Sequence, residues 1–290
     1  MSEQGRLSLE LDGEGASGRA VDLRARGADP ERVAAAVRAE SADGDDGGGG
    51  CHGPAVDCRS PRAVHDHVGF VRLGMGVRVR TALAAAARSR GGEAPQDETL
   101  ADVREALSSL TVPAPPDLDA PRERLAGTDD AVDRIRERVA ALRGRVQAGR
   151  EAGRDVSDLA AELTEATREL SERETERAAA REAVERAERL ARESRDARER
   201  RRRLEDRRAN LERRARAHLV DRIREEYERA LAGVPGGPDA ADDPFAVEGV
   251  TAALAVGRVA EFRAPVVMAC DRFASVEAAA EWLDAPVIRV

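Results

Sequence analysis

The chain is 290 residues long, 36% charged and only 2% aromatic, so it holds few of the large side chains from which one compact core of this length is built. All 48 basic residues are arginine, which excludes a phosphate loop with its lysine, a Schiff-base enzyme and the protein-kinase ion pair; GxxxxGK[ST], GxSxG and HExxH are absent too. The net charge of −8 is uneven, with 18 acidic and 14 basic groups in residues 1–116, 29 and 30 in 117–233, and 9 and 4 in 234–290.

At the start of the chain RLSLELD (6–12) and GRAVDLR (18–24) alternate at period two, which predicts a hairpin across Gly13 to Gly18. Asp29-Pro30-Glu31 caps a short helix to about Ala39, and SADGDDGGGG (41–50) is a flexible loop. CHGPAVDCRSPRAVHDH (51–67) gathers two of the three cysteines and three of the four histidines, with a strand at AVDC. HVGFVRL reads as a strand, VRVRTALAAAARSR as a helix ended by Gly91-Gly92, and Glu98 to Leu110 as another helix before the stiff connector VPAPPD (112–117).

From Thr128 the sequence lacks proline until Pro235. Val132, Ile135, Val139, Leu142 and Val146 follow the 3,4 spacing of a coiled-coil seam. Gly149 and Gly153 interrupt it, and Asp155 with Asp158 offers a fresh helix start, placing a hinge near 147–155. Leu159, Leu163, Ala166 and Leu170 resume the stripe; Ala183, Leu190, Ala197, Leu204 and Leu211 follow at sevens, and Val220, Ile223, Tyr227 and Leu231 complete it. Ser194, Arg201 and Arg208 stand where apolar residues belong, so the heptads weaken there and leave helix orientation open.

After VPGGPDAADD (234–243), Asp243-Pro244 is expected to cap a helix to about Phe262; PVVMAC (265–270) is a buried strand, Ser275 starts a helix through Trp282, and APVIRV (285–290) is a strand. Such a βαβ unit needs parallel neighbours. The economical solution joins the end strands to the N-terminal ones. The predicted fold class is therefore α-rich α+β: a small α/β head from residues 1–116 and 234–290, with a long helical coiled-coil arm, 117–233, inserted between its halves.

VGFVRLGMGVRVRTALAAAARSRGGEAP, the arginine-rich helix and APVVMACDRF together are similar to an uncharacterised family of haloarchaeal proteins, a likeness that covers the chain and implies no activity. In architecture alone, the split head and arm resemble chromosome-maintenance ATPases of the SMC type. PVVMACD imitates their hydrophobic strand and Asp, but Asp271 is followed by Arg272 instead of Glu and the phosphate loop is missing.

Cys51, Cys58, His65 and His67 are the right ligand types for zinc, but the cysteines enclose six residues and the histidines one, against the usual spacings. No metal and no cofactor is expected. Residues 189–216 hold 13 arginines against 6 acidic groups, and Arg200, Arg201, Arg202, Arg203, Arg207 and Arg208 are the candidates for phosphate contact. Four consecutive arginines point around a helix instead of forming one stripe, and no aromatic residue is interleaved to stack bases. His218, beside the seam, reads as a structural histidine. Cys270 and Asp271 end a strand where α/β folds place ligands, without a base or nucleophile partner.

The expectation is a non-enzymatic coiled-coil scaffold or interaction protein, pairing with a partner or itself through the arm. The alternative is a nucleic-acid-associated factor using the arginine-rich helix; a weaker one is a ligand-binding or degenerate nucleotide-binding head. With three cysteines, no apolar run of membrane-spanning length and no signal peptide after Met1, a cytoplasmic, halophilic chain with reduced thiols and no membrane partner is expected.

Overall fold

Leu7, Leu9 and Leu11 alternate with Ser8 and Glu10, and that period of two gives β1 (Leu7–Leu11) one buried row. The computed structural model describes residues 7–11, 14–39, 54–237 and 242–290. They divide into a first unit of residues 1–101 and 209–290 and a second of residues 102–208. The loop expected at 41–50 lies outside the described residues.

In the first unit β1 is followed by β2 (Glu14–Gly18), β3 (Ala20–Asp22), α1 (Pro30–Arg38), β4 (Ala55–Asp57), the single turn α2 (His65–Val68), β5 (Phe70–Arg72) and α3 (Val79–Ser89). α1 starts as expected, because the Asp29 carboxylate accepts from the Glu31 and Arg32 amides and proline stands at its first position. α4 (Asp97–Ser109) crosses into the second unit, which holds α5 (Asp119–Glu151) and the first part of α6 (Ser157–Ala232). The first unit then resumes with the rest of α6, α7 (Gly249–Val259), β6 (Val266–Ala269), α8 (Val276–Leu283) and β7 (Val287–Arg289).

Two sheets result. β2, β1 and β4 form an antiparallel sheet in that order. The other is parallel, in the order β3-β7-β6-β5, with Val21 and Val267 flanking Ile288, and Val71 beside Met268. The βαβ unit β6-α8-β7 thus finds its neighbours in strands from the other end of the chain, as expected. Val266, Met268 and Val287 face a core shared with α3, α7, α8 and the end of α6. Val267 and Ile288 face Leu7, Leu9, Val33 and Val37 in a second core.

Two local expectations are corrected. GRAVDLR does not return along β1: EGASG does, and Val21 and Leu23 instead bury themselves at the parallel sheet. A sheet covered on both faces buries such residues more fully than the exposed hairpin edge would. In addition, no helix begins at Asp243-Pro244. Phe245 stacks on Tyr227 with ring centroids 6.1 Å apart, the guanidinium groups of Arg80 and Arg224 lie 4.3 and 5.2 Å from its centroid, and the Tyr227 hydroxyl donates to the Pro244 carbonyl at 2.7 Å. These contacts hold residues 243–248 in a turn, and α7 starts at Gly249, where the Glu248 carboxylate accepts from the Thr251 amide.

In the second unit α5 and α6 are antiparallel. Arg122 pairs with Glu188 at 3.0 Å, Arg136 with Glu174 at 2.7 Å and Arg138 with Glu169 at 3.6 Å, so partners fall in number on α6 as they rise on α5. The turn lies within the expected hinge. Gly153 takes a positive φ of 65°, which ends α5 at little steric cost, and Asp155 accepts from the Ser157 amide and hydroxyl at the start of α6.

Candidate functional site

The helical pair is built on the predicted stripe near its turn. Val132, Ile135, Val139, Leu142 and Val146 are buried on α5, and Ile135, Val139 and Leu142 share a core with Ala166, against which Leu159, Leu163 and Leu170 pack half-buried. Farther from the turn the buried positions on α6 are Ala180, Ala187 and Ser194, at intervals of seven. The series expected at the seam centre is displaced from them: Leu190 is 43% exposed and Leu204 half-buried. Ser194, read as a polar intrusion, is fully buried because its hydroxyl donates to the Pro113 carbonyl of the connector at 2.8 Å and accepts from Arg198 at 2.7 Å. Small side chains admit a neighbouring backbone that leucine would hold off.

The end of the stripe belongs to the first unit. Leu211 and Ile223 pack into the head core with Leu219, Tyr227 and Leu231 instead of into a helical seam. Residues 209–233, expected in the arm, are therefore part of the head, and 102–116, expected in the head, fall in the second unit. The physical reason is that a 3,4 spacing specifies an apolar stripe without specifying whether a helix or a sheet layer covers it. His218 is half-buried beside these residues.

Arg200, Arg201, Arg202, Arg203, Arg207 and Arg208 are exposed on α6. Arg201 binds Glu205 at 2.9 Å and Arg203 binds Glu199, both four residues away on the same helix. Half of the consecutive run is thereby engaged by carboxylates.

Of the cysteine and histidine window, Cys51 lies outside the described residues. Cys58 follows β4 directly, half-buried against the second core, and burial pushes its thiol pKa up. His65 is 2% exposed, with Nε2 2.8 Å from the Ala264 carbonyl and its ring edge-on to Phe262. His65 and His67 line one cavity; Cys58 does not line it. Among the described residues no group of three or more His, Cys, Asp or Glu residues is placed so that it could hold a metal ion.

At the carboxyl edge of the parallel sheet the structure supplies partners that the sequence reading missed. Arg289, on β7 and 3% exposed, donates to Asp271 just after β6 at 2.7 Å. Arg24 binds Asp22 at the end of β3 at 2.7 Å and lies 3.9 Å from Asp271. The hydrogen bond from Arg24 holds the Asp22 carboxyl below the usual carboxylate range. Nε and Nη1 of Arg289 have no hydrogen-bond partner among the described residues. Burial pushes the neighbouring Cys270 thiol up, which keeps it protonated and a poor nucleophile. Arg272, standing where the ATPase pattern has Glu, binds Glu248 at 2.8 Å and donates to the Pro235 carbonyl at 3.2 Å, so it clamps the entry to α7. The signal for Arg289 was a charged residue inside an apolar C-terminal strand.

None of the described helices is long and apolar enough to cross a membrane. The profile of DUF7856, a family of unknown function, matches residues 18–287. No curated protein and no solved structure matches the chain.

Proposed function

Since the chain belongs to DUF7856, a family of unknown function, we propose from its geometry that it is a cytoplasmic, non-enzymatic scaffold or interaction protein whose helical hairpin engages a protein partner or a second copy of the chain. The observation that carries this reading is the antiparallel pairing of α5 and α6 by Arg122–Glu188, Arg136–Glu174 and Arg138–Glu169. A hairpin of this kind presents long polar helix faces. At the sheet edge the Asp271 carboxylate is already bound by Arg289, which supports the non-enzymatic reading.

The excess of arginine in 189–216 favours a second reading, contact with nucleic acid. Against it stand Arg201 and Arg203, whose guanidinium groups already answer Glu205 and Glu199. One experiment separates the two. Arg201, Arg202 and Arg203 are changed together to Glu, and self-association and retention on DNA and RNA are measured on folded protein at the salt the fold tolerates. For a helix-pairing protein self-association shifts and nucleic-acid retention does not. Salt-sensitive retention by folded protein, abolished by the triple change, establishes the second reading.

A further inference from the structure

A cavity of about 540 Å³ opens where β5 ends, within the range of roughly 300–1,000 Å³ that small-molecule sites occupy. Glu31, Ala34 and Arg38 line it from α1, at spacings of three and four that put them on one helix face. Arg72, the last residue of β5, and Asp66 of α2 complete its charged wall. That wall carries two guanidinium groups and two carboxylates, with no formal excess of either sign. Among the described residues none of the four forms an ion pair with another, in a chain that elsewhere pairs its arginines with carboxylates on the same helix and across helices.

His65 provides a second, independent observation. It lines the cavity, yet it is 2% exposed. Its Nε2 faces a carbonyl, which only accepts, so Nε2 carries the proton in the neutral ring and Nδ1 is left as an acceptor. Nδ1 is buried and has no hydrogen-bond partner among the described residues. The Arg62 carbonyl, which also acts on the ring, is another acceptor and supplies no donor. Burial favours the uncharged imidazole, opposed by the Ala264 and Arg62 carbonyls and then by Asp66, and supported by Arg38. A buried acceptor left without a donor costs free energy, which a donor brought by a ligand would recover.

We propose that this cavity binds a small zwitterion of the amino-acid type. Its carboxylate meets Arg38 and Arg72, for which a planar guanidinium is well shaped, and its ammonium donates toward His65 Nδ1 and the carboxylates of Glu31 and Asp66. A simple anion would satisfy the arginines but face two carboxylates, and a simple cation would meet the reverse. Only a ligand with both charges uses the whole wall. The face of Phe70, which also lines the cavity and lies under the Arg72 guanidinium at 5.9 Å, offers apolar contact for a side chain.

The test titrates the full chain, at the salt it tolerates, with the proteinogenic amino acids one by one, and with acetate, inorganic phosphate and methylamine, by calorimetry. At least one amino acid is expected to bind saturably, with each single-charge probe weaker by about tenfold or more. Arg72→Gln and Glu31→Gln change exposed side chains, so the melting temperature of the free chain stays as it was, while affinity falls about tenfold in each. Absence of saturable binding by every amino acid up to about 10 mM overturns the proposal. So does acetate, phosphate or methylamine binding as tightly as the best amino acid, or affinity unchanged in both variants.

Discussion

Gly249 opens α7 with its backbone against the Met75 carbonyl, and a Cβ there would lie 1.7 Å from that oxygen. Gly249→Ala is expected to destabilise the head by about 1–3 kcal/mol, read as a lower denaturant midpoint, because α7 or the 74–76 loop must move. An unchanged midpoint would show that the loop yields freely. His65 makes the head sensitive to acid. Burial holds its pKa below the ordinary value, with Asp66 and Arg38 acting in opposite directions, so the unfolded chain takes up the proton first as pH falls. Its contribution to stability is present above about pH 6.5 and is lost as pH falls through the depressed folded value. The midpoint should therefore drop between neutral and mildly acidic buffer, and the drop should shrink in His65→Gln. Tyr227 acts at the other end of the range: burial, helped by the nearby Asp243 and Glu228 carboxylates, pushes its pKa up to about 12, and its hydroxyl donates to the Pro244 carbonyl. Tyr227→Phe removes that bond at a cost of about 1 kcal/mol.

Among the elements, α6 illustrates how one periodic stripe serves two different neighbours. Near the turn its Ala166 meets Ile135, Val139 and Leu142, so Leu142→Ala should loosen the hairpin by about 2–5 kcal/mol, seen as faster hydrogen exchange in α5. Ile223 lies on the same sequence stripe but in the head core. Ile223→Asp is thus expected to unfold the head while exchange in residues 119–151 stays slow, the reverse of Leu142→Ala. Equal loss of protection in both regions in either variant would contradict the separation. The Leu204 position, half-buried, should tolerate Asp better than either.

At the scale of the molecule, the head is a sheet assembled from distant parts of the sequence. β7 sits between β3 and β6, so every strand-to-strand link from β3 to the rest of the parallel sheet runs through the last few residues. Removing residues 285–290 should abolish the cooperative unfolding of the head, while the helical signal from α5 and the start of α6 persists in circular dichroism. Retention of a single sharp transition would refute this topology. Asp271→Asn is a milder version of the same test, since it takes from the buried Arg289 the carboxylate to which it donates. Asp271 is 87% exposed, so the expected loss is about 1–3 kcal/mol and not the larger cost of a fully buried pair.

Local chemistry was sufficient to locate most elements. The Asp29-Pro30 start of α1, the Ser275 cap of α8, the end of α3 before Gly91-Gly92 and the break at Gly153 are each decided within a few residues, by a capping carboxylate or hydroxyl, a fixed φ or a permitted positive φ. Alternation and 3,4 spacing likewise told apolar faces from polar ones, and the need of a βαβ unit for parallel neighbours led to a sheet shared by both ends. What such patterns leave open is the identity of the covering surface, because burial is non-directional and any apolar neighbour will serve. Tertiary structure decided that EGASG rather than GRAVDLR returns along β1, that Ile223 enters the head, that Phe245 is held by Tyr227 and two arginines, and that Ser194 is buried against a proline carbonyl. It also brought Arg289 to Asp271, and His65 to the charges on α1 and β5. Arg289 meets Asp271 across 18 residues, and His65 Nε2 meets the Ala264 carbonyl across 199, separations that no local rule spans.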